Sequence, residues 1–211
     1  MEIGHSAGWR ADIVPGMKAV ARRPVGRPAA ATKEELLAEA RRRFLRGERV
    51  ELQDVAQRLG LARMTVYRWF GSRDGLMGEV LAQLGAGLVD DAAAHTSEQG
   101  RRGLLELFGR VNRDIASSDA LRAYLRREGL PALRVLTASD GVVHPRMVAS
   151  IERVIRAELG EDDDLLGAID PGTLAFAIVR LAESFLYNDA SSDIRGDVDR
   201  LRDVQAALLG I

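Results

Sequence analysis

Residues 50–76, VELQDVAQRLGLARMTVYRWFGSRDGL, constrain the fold more than any other part of the 211-residue chain. Leu52, Val55, Ala56 and Leu59 stand at i, i+3, i+4 and i+7, one apolar face of a short helix. Gly60 follows where a left-handed residue ends a helix, a conformation open to glycine because it has no Cβ. After Leu61 and Ala62 a second period begins, and Val66 and Phe70 lie four residues apart, placed to dock on the first helix. Two short helices joined by a tight turn make a helix-turn-helix.

Arg63, Met64, Thr65, Tyr67, Arg68 and Trp69 surround the packing face of the second helix. A purely structural helix has no need of two arginines and two aromatics there, whereas a helix lying in the DNA major groove does. Arginine reads guanine edges or grips phosphate, and the Thr65 and Tyr67 hydroxyls and the Trp69 indole N–H can donate to phosphate oxygens. Ser72 is a good N-cap for a further helix, and Arg73 beside that helix N-terminus completes a candidate phosphate clamp. The competing reading is a small amphipathic hairpin with solvated charges, and the flanking composition weighs against it.

The net charge of −1 hides an asymmetry. Residues 18–76 hold 14 Lys/Arg against 7 Asp/Glu, and residues 77–211 hold 15 against 22. A basic head on an acidic body is expected when only the head meets a polyanion. There is no cysteine, so neither disulfides nor thiolate metal sites are available, and a reducing cytoplasm fits. No apolar run approaches the roughly 20 residues needed to cross a bilayer, and the N-terminus lacks the apolar core of an export signal. No membrane association, cofactor or metal is expected. Glu161-Asp162-Asp163-Asp164 reads as a solvated acidic linker, since it lacks the ligand spacing of a calcium loop.

Residues 1–31 have no periodicity and form an expected flexible arm. Arg22-Arg23-Pro24 and Gly26-Arg27-Pro28 suit a segment that follows a DNA backbone or enters a minor groove, and equally a tail with incidental charge. Residues 1–16 add nothing interpretable, and Met17 is an alternative start. Thr32-Lys33-Glu34-Glu35 is a capping box opening a helix with Leu36, Leu37, Ala40 and Phe44 inward. Its other face carries Arg41, Arg42, Arg43 and Arg46, a solvated face by default, with Arg42 and Arg46 able to approach phosphate. The expected organisation is an arm (1–31), a three-helix DNA-binding head (32–76) and a helical body (77–211).

Body periodicities are helical throughout, which makes the chain all-α. Leu76, Val80, Leu81, Leu84 and Leu88 continue a long helix out of the head. Four glycines along it, Gly75, Gly78, Gly85 and Gly87, point to close packing or a bendable link. A helix opens around Thr96 to Gln99, with Leu104, Leu105, Leu107, Phe108, Val111 and Ile115 inward. Shorter pieces cover 121–128 and 132–137. Ser139 to Gly141 and His144-Pro145 read as loop, followed by a helix carrying Met147, Ile151, Val154, Ile155 and Leu159. Asp170-Pro171 opens a helix to Tyr187 that is apolar almost all round. Leu174, Ile178, Leu181 and Phe185 make one stripe; Ala175, Val179, Ala182 and Leu186 another; Phe176, Arg180, Glu183 and Tyr187 a third. Such a helix must be buried on most sides, which implies a partner surface. Val198, Leu201, Val204, Gln205 and Leu208 mark the last helix.

The run LARMTVYRWFGSRDGL, Leu61 to Leu76, resembles the signature of the TetR family of bacterial transcriptional regulators, with Thr65, Tyr67, Phe70, Ser72 and Leu76 at its characteristic spacings. The likeness covers residues 32 to 80. It departs from the pattern at Ala62 and Val50, which replace capping residues at a cost of about 1 kcal/mol each. Further departures are Trp69, Arg73 and a loop at residues 47–50 that is one residue short. The resemblance implies a homodimer, a two-helix dimerisation pair packing as a four-helix bundle (Leu174, Ile178, Leu181, Phe185, Leu201 and Leu208), and a roughly palindromic DNA operator. It also implies a body cavity for a small-molecule effector, with Phe108, Tyr124, Met147, Phe176, Arg180 and Glu183 as candidate wall residues. For these residues plain core, and for Arg180 and Glu183 a buried ion pair, stand as the alternative. The segment RLAESFLYND, Arg180 to Asp189, is similar to actinobacterial members linked to lactone breakdown, which implies an acyl lactone or ester-like ligand.

An enzyme is disfavoured: His5, His95 and His144 stand in a tail or near helix ends, and no catalytic nucleophile motif or phosphate-binding glycine loop is present. The expected function is a cytoplasmic, ligand-released repressor. The alternative is an architectural DNA-binding protein with no effector.

Overall fold

The computed structural model describes residues 31–160, 163–187 and 198–211. The basic arm, apart from Ala31, and the first two residues of the acidic linker lie outside the described residues, as do Asn188 and Asp189. Every regular element described is an α-helix.

The head comprises α1 (Lys33–Leu45), α2 (Leu52–Arg58) and α3 (Arg63–Phe70). The capping box forms as the sequence predicts: Glu35 N–H donates to Thr32 Oγ1 at 3.1 Å, and Thr32 N–H donates to Glu35 Oε2 at 2.8 Å. Leu36, Leu37, Ala40 and Phe44 of α1 pack on Leu52, Val55 and Ala56 of α2 and on Val66 and Phe70 of α3. No side chain caps α2 at Glu51 or α3 at Ala62.

Two glycines shape the passage from head to body. Gly71 ends α3 at φ +70°, a region that disfavours any residue with a Cβ. Gly75 then passes so close to Phe70 that a Cβ there would sit 2.0 Å from its carbonyl oxygen. The tight corner lets α4 (Arg73–His95), capped by Ser72 Oγ on Gly75 N–H at 3.0 Å, leave the head at once. α4 runs unbroken through residues 76 and 77, where the head was expected to end.

The body adds α5 (Gly100–Ser117), α6 (Asp119–Glu128), α7 (Leu130–Thr137), α8 (Val143–Glu158), the short α9 (Asp164–Ala168), α10 (Pro171–Leu186) and α11 (Val198–Leu209). α8 packs between α4 and α10, and α11 lies along α5 and α10. Asp170 caps α10 through Gly172 and Thr173 N–H, with Pro171 in the first turn. The expected start of α5 around Thr96 shifts to Gly100. Thr96 instead bonds back to Ala92 O at 2.8 Å, and the Glu158 carboxylate from α8 accepts from Gly100 N–H at 3.0 Å. His144-Pro145, expected as loop, is the first turn of α8, where proline is tolerated because its missing N–H would have no helical partner.

One hydrophobic core runs through head and body. Phe44 of α1 meets Tyr124 of α6 edge to face, with ring centroids 6.0 Å apart.

Candidate functional site

The first candidate surface is α3. Val66 and Phe70 are buried, which turns Arg63, Met64 and Arg68 to solvent; Met64 is 76% exposed. Thr65, Tyr67 and Trp69 are half-buried. The Arg63 guanidinium lies over the Tyr67 ring, 5.2 Å from its centroid. Hydrogen bonds from Gln53 and Arg63 hold the Tyr67 phenol below its ordinary value. Trp69 packs edge-on against Phe70 at 6.4 Å, so its ring belongs partly to the head core. Lys33, from the first turn of α1, reaches the same corner and sits 5.2 Å over the Phe70 ring. The result is an exposed, cationic helix whose aromatic side chains are braced from behind.

Arg73, expected beside this surface as a phosphate contact, is engaged elsewhere. Its Nε donates to Val50 O at 2.7 Å, and its two terminal nitrogens donate to the Glu128 carboxylate at 2.9 and 3.3 Å. Burial acts to raise the Glu128 carboxyl, but the Arg73 charge beside it prevails and holds it below the usual range. Arg127 adds a hydrogen bond to Gly47 O at 3.1 Å. These bonds tie the end of α6 to the loop between α1 and α2 and to the start of α4. Arg73 therefore braces head against body, a role that its place beside a helix start did not suggest.

The second candidate is a cavity of about 50 Å³ between α5, α8, α10 and α11. Its apolar walls include Phe108, Val111, Ile115, Leu136, Met147 and Ile151; its polar residues are Asn112, His144, Glu183, Tyr187 and Gln205. Of the six expected wall residues, Phe108, Met147 and Glu183 line it. Tyr124 does not: it is buried at the head–body junction, where desolvation pushes its phenol up to about 12. Phe176 does not either; it is 46% exposed, lying edge-on to His144 at 5.4 Å with the Arg180 guanidinium 5.3 Å from its centroid. Arg180 stands one step behind the wall, donating to Glu183 Oε2 at 2.8 Å and to Thr137 O at 2.8 Å. The expected Arg180–Glu183 pair thus forms.

His144 completes that pair into a triad, its Nδ1 lying 2.7 Å from Glu183 Oε1. Asn112 Nδ2 donates to Gln205 Oε1 at 3.0 Å. These residues were missed as site candidates. The signal was present: His144, Met147 and Ile151 share one face of α8, and Phe108, Asn112 and Ile115 share one face of α5, polar positions inside apolar stripes. His144 Nε2 and Gln205 Nε2 are buried without a hydrogen-bond partner. An unsatisfied buried polar atom costs about 1–3 kcal/mol. At the C-terminal end of α10, burial raises the Tyr187 phenol strongly.

The third candidate is the outer face of α10 and α11. Leu174, Ile178 and Leu201, expected at a dimer interface, are 2%, 2% and 0% exposed within the single chain. They pack inward against the body, so that assignment is corrected for these three. Leu181 and Phe185 are half-buried. Leu208 is 40% exposed and shares the outer side of α11 with Val204, beside Ile211. Among the described residues, the exposed apolar positions at this end are Val204 and Leu208 on α11 and Ile211 just beyond it, while Leu181 and Phe185 of α10 are partly covered by the core.

No helix of the described residues is long and apolar enough to cross a membrane. No curated protein matches the chain. Residues 99–210 match the C-terminal domain of tetracyclin repressor-like proteins. Among solved structures, the chain is similar to the transcriptional repressor QsdR of R. erythropolis, from the TetR family: TM-score 0.74 and 28% identity, over 84% of this chain and 94% of that one. The family model covers more than half of the chain and carries the body, and the structural likeness extends over the helix-turn-helix head; the chain belongs to the TetR family of transcriptional regulators.

Proposed function

We propose that the chain is a ligand-responsive repressor that binds a palindromic DNA operator as a homodimer in the cytoplasm. The observation that carries the reading is the exposed cationic face of α3, set on a helix-turn-helix head and backed by a body with a separate cavity. In this reading Arg63 and Arg68 contact base edges or phosphates, and Met64, Thr65, Tyr67 and Trp69 contact the backbone or groove wall. The uncapped first turn of α3 leaves N–H groups that suit a phosphate oxygen. The Val204–Leu208–Ile211 stripe, with Leu181 and Phe185, supplies the dimer contact. A two-fold axis there presents two α3 helices to two half-sites.

Regulation follows from two states of the body that space the two heads differently. A ligand that prefers one state lowers operator affinity by its differential binding to the two. Met147 carries the signal outward, since it lines the cavity and rests on α4. The resemblance of residues 180–189 to regulators linked to lactone breakdown offers an acyl lactone or ester-like ligand as a competing reading.

The test begins with duplex DNA selected from a random library by the purified protein. Arg63→Ala and Arg68→Ala are expected to weaken binding by about 1–3 kcal/mol and to relax base preference. Unchanged preference and affinity in both variants rejects α3 as the reading helix. Selected sites without two-fold symmetry reject the dimer. A DNA complex that no small molecule alters supports the architectural alternative.

A further inference from the structure

From the unpartnered atoms of the cavity we infer its ligand class: an uncharged, largely apolar molecule whose polar head both donates and accepts a hydrogen bond, a carboxamide being the simplest. The inference rests on the cavity being the effector site.

A carboxylate oxygen only accepts, so His144 Nδ1 must carry the proton it gives to Glu183 Oε1 at 2.7 Å. In the neutral ring, Nε2 is then a bare acceptor, and it is buried with no partner. Gln205 is complementary. Its carbonyl accepts from Asn112 at 3.0 Å, which leaves its amide nitrogen as a buried donor with no partner. Both side chains line the same cavity and are almost fully enclosed, at 3% and 0% exposure. One site thus holds an unmet acceptor and an unmet donor.

Charge narrows the class further. Among the described residues Glu183 is the single carboxylate on the wall, and Arg180 at 2.8 Å already balances it. An anionic ligand would meet Glu183 with no cation of the wall left over, and a cation would have to displace Arg180. The remaining wall is aliphatic and aromatic, which favours an apolar tail. An ester alone offers only acceptors and leaves His144 Nε2 unmet. A carboxamide gives its N–H to His144 Nε2 and takes the Gln205 N–H on its carbonyl. The cavity of about 50 Å³ must widen to admit a chain, and Met147, unbranched and adaptable, is the wall residue best suited to give way.

The test compares hexanamide, γ-caprolactone, sodium hexanoate and hexane on the full-length protein. Binding is followed by the side-chain amide signals of Gln205 in 15N-resolved NMR and by thermal melting. Hexanamide is expected to shift the Gln205 signals and raise the melting temperature, and the other three to bind at least about tenfold more weakly, the worth of one buried hydrogen bond. Gln205→Met is expected to reduce hexanamide binding by about the same factor while leaving hexane unaffected. Equal binding of hexanoate, lactone or hexane, unmoved Gln205 signals, or no hexanamide binding at millimolar concentration overturns the assignment. Release of the selected DNA duplex is read separately by fluorescence anisotropy. Hexanamide binding without release upholds the ligand class and rejects the regulatory role of the cavity. Release by another compound that leaves Gln205 untouched rejects the class and retains a ligand-responsive regulator.

Discussion

Arg73 and Glu128, 55 residues apart in the chain, join the first residue of α4 to the last residue of α6 through two charged hydrogen bonds. Glu128→Gln keeps the shape and removes the charge, and is expected to lower unfolding free energy by about 1–2 kcal/mol, since hydrogen bonds to charged groups contribute roughly 1.5–3 and both side chains keep some solvent contact. Urea denaturation of the two single variants and the double variant should give a coupling energy of about 1 kcal/mol. Because the Arg73 guanidinium is engaged by Glu128 and Val50 O, Arg73→Ala is expected to weaken DNA binding without changing its salt dependence. A shallower salt slope would return Arg73 to phosphate contact.

Met147 Cε rests where a side chain on Gly85 would begin: a Cβ there would stand 2.7 Å away. The obstacle is the end of a flexible side chain, so Gly85→Ala pushes Met147 toward the cavity rather than breaking the backbone. The gain of about 1 kcal/mol in helix propensity offsets much of the packing strain, and net stability should change by less than about 1 kcal/mol. Hexanamide binding, in contrast, should fall several-fold. Unchanged binding in calorimetry would remove Met147 from the path between cavity and α4.

The apolar positions of α10 and α11 separate by direction. Leu208→Asp places a charge on the exposed stripe and is expected to yield a folded monomer in sedimentation velocity, with DNA affinity reduced at least about tenfold because one half-site is lost. Leu201→Ala hollows the interior instead and should cost about 2–5 kcal/mol of stability. A Leu208→Asp protein that remains dimeric would move the interface elsewhere.

Glu106 pins the loop between α4 and α5: its carboxylate accepts from Ser97 N–H at 3.1 Å and Glu98 N–H at 3.2 Å, and from Arg110 at 2.8 Å. The Arg110 hydrogen bond, followed by those backbone bonds, lowers its value from 4.5 to about 2. A depressed carboxylate contributes stability that is complete above the unfolded value of 4.5 and is lost as pH falls toward 2. Amide exchange at Ser97 and Glu98 is expected to lose protection across that window, while Glu106→Gln shows the loss already at neutral pH. Protection independent of pH in the native protein would reject the contact.

Much of the architecture is local and therefore legible in the sequence. Thr32 with Glu35, Ser72, and Asp170 with Pro171 mark helix starts because a cap needs only residues within one turn. The α3 surface is legible for the same reason: Val66 and Phe70 define the packed side, which turns Arg63, Met64 and Arg68 to solvent and leaves Thr65, Tyr67 and Trp69 at the flanks. The alternatives for the four glycines of α4 narrow to close packing for Gly75 and Gly85, whereas a Cβ would make ordinary contact with Val142 at Gly78 and meet open space at Gly87.

What periodicity could not decide is direction and partnership over distance. α10 has apolar residues on nearly every side, so its spacing carries no information about which stripe faces the body. Only packing against α8 and α11 shows that Leu174 and Ile178 turn inward. A lone histidine before a proline gave no hint of Glu183, 39 residues away, and Arg73 beside a helix start looked like a phosphate clamp until Glu128 occupied it. The sequence by itself determined most of the helices, the caps at Thr32, Ser72 and Asp170 and the exposed cationic face of α3, because those depend on neighbours within a few residues. The tertiary structure decided the cavity, the brace between head and body and the outward apolar stripe, because each depends on groups brought together from distant parts of the chain.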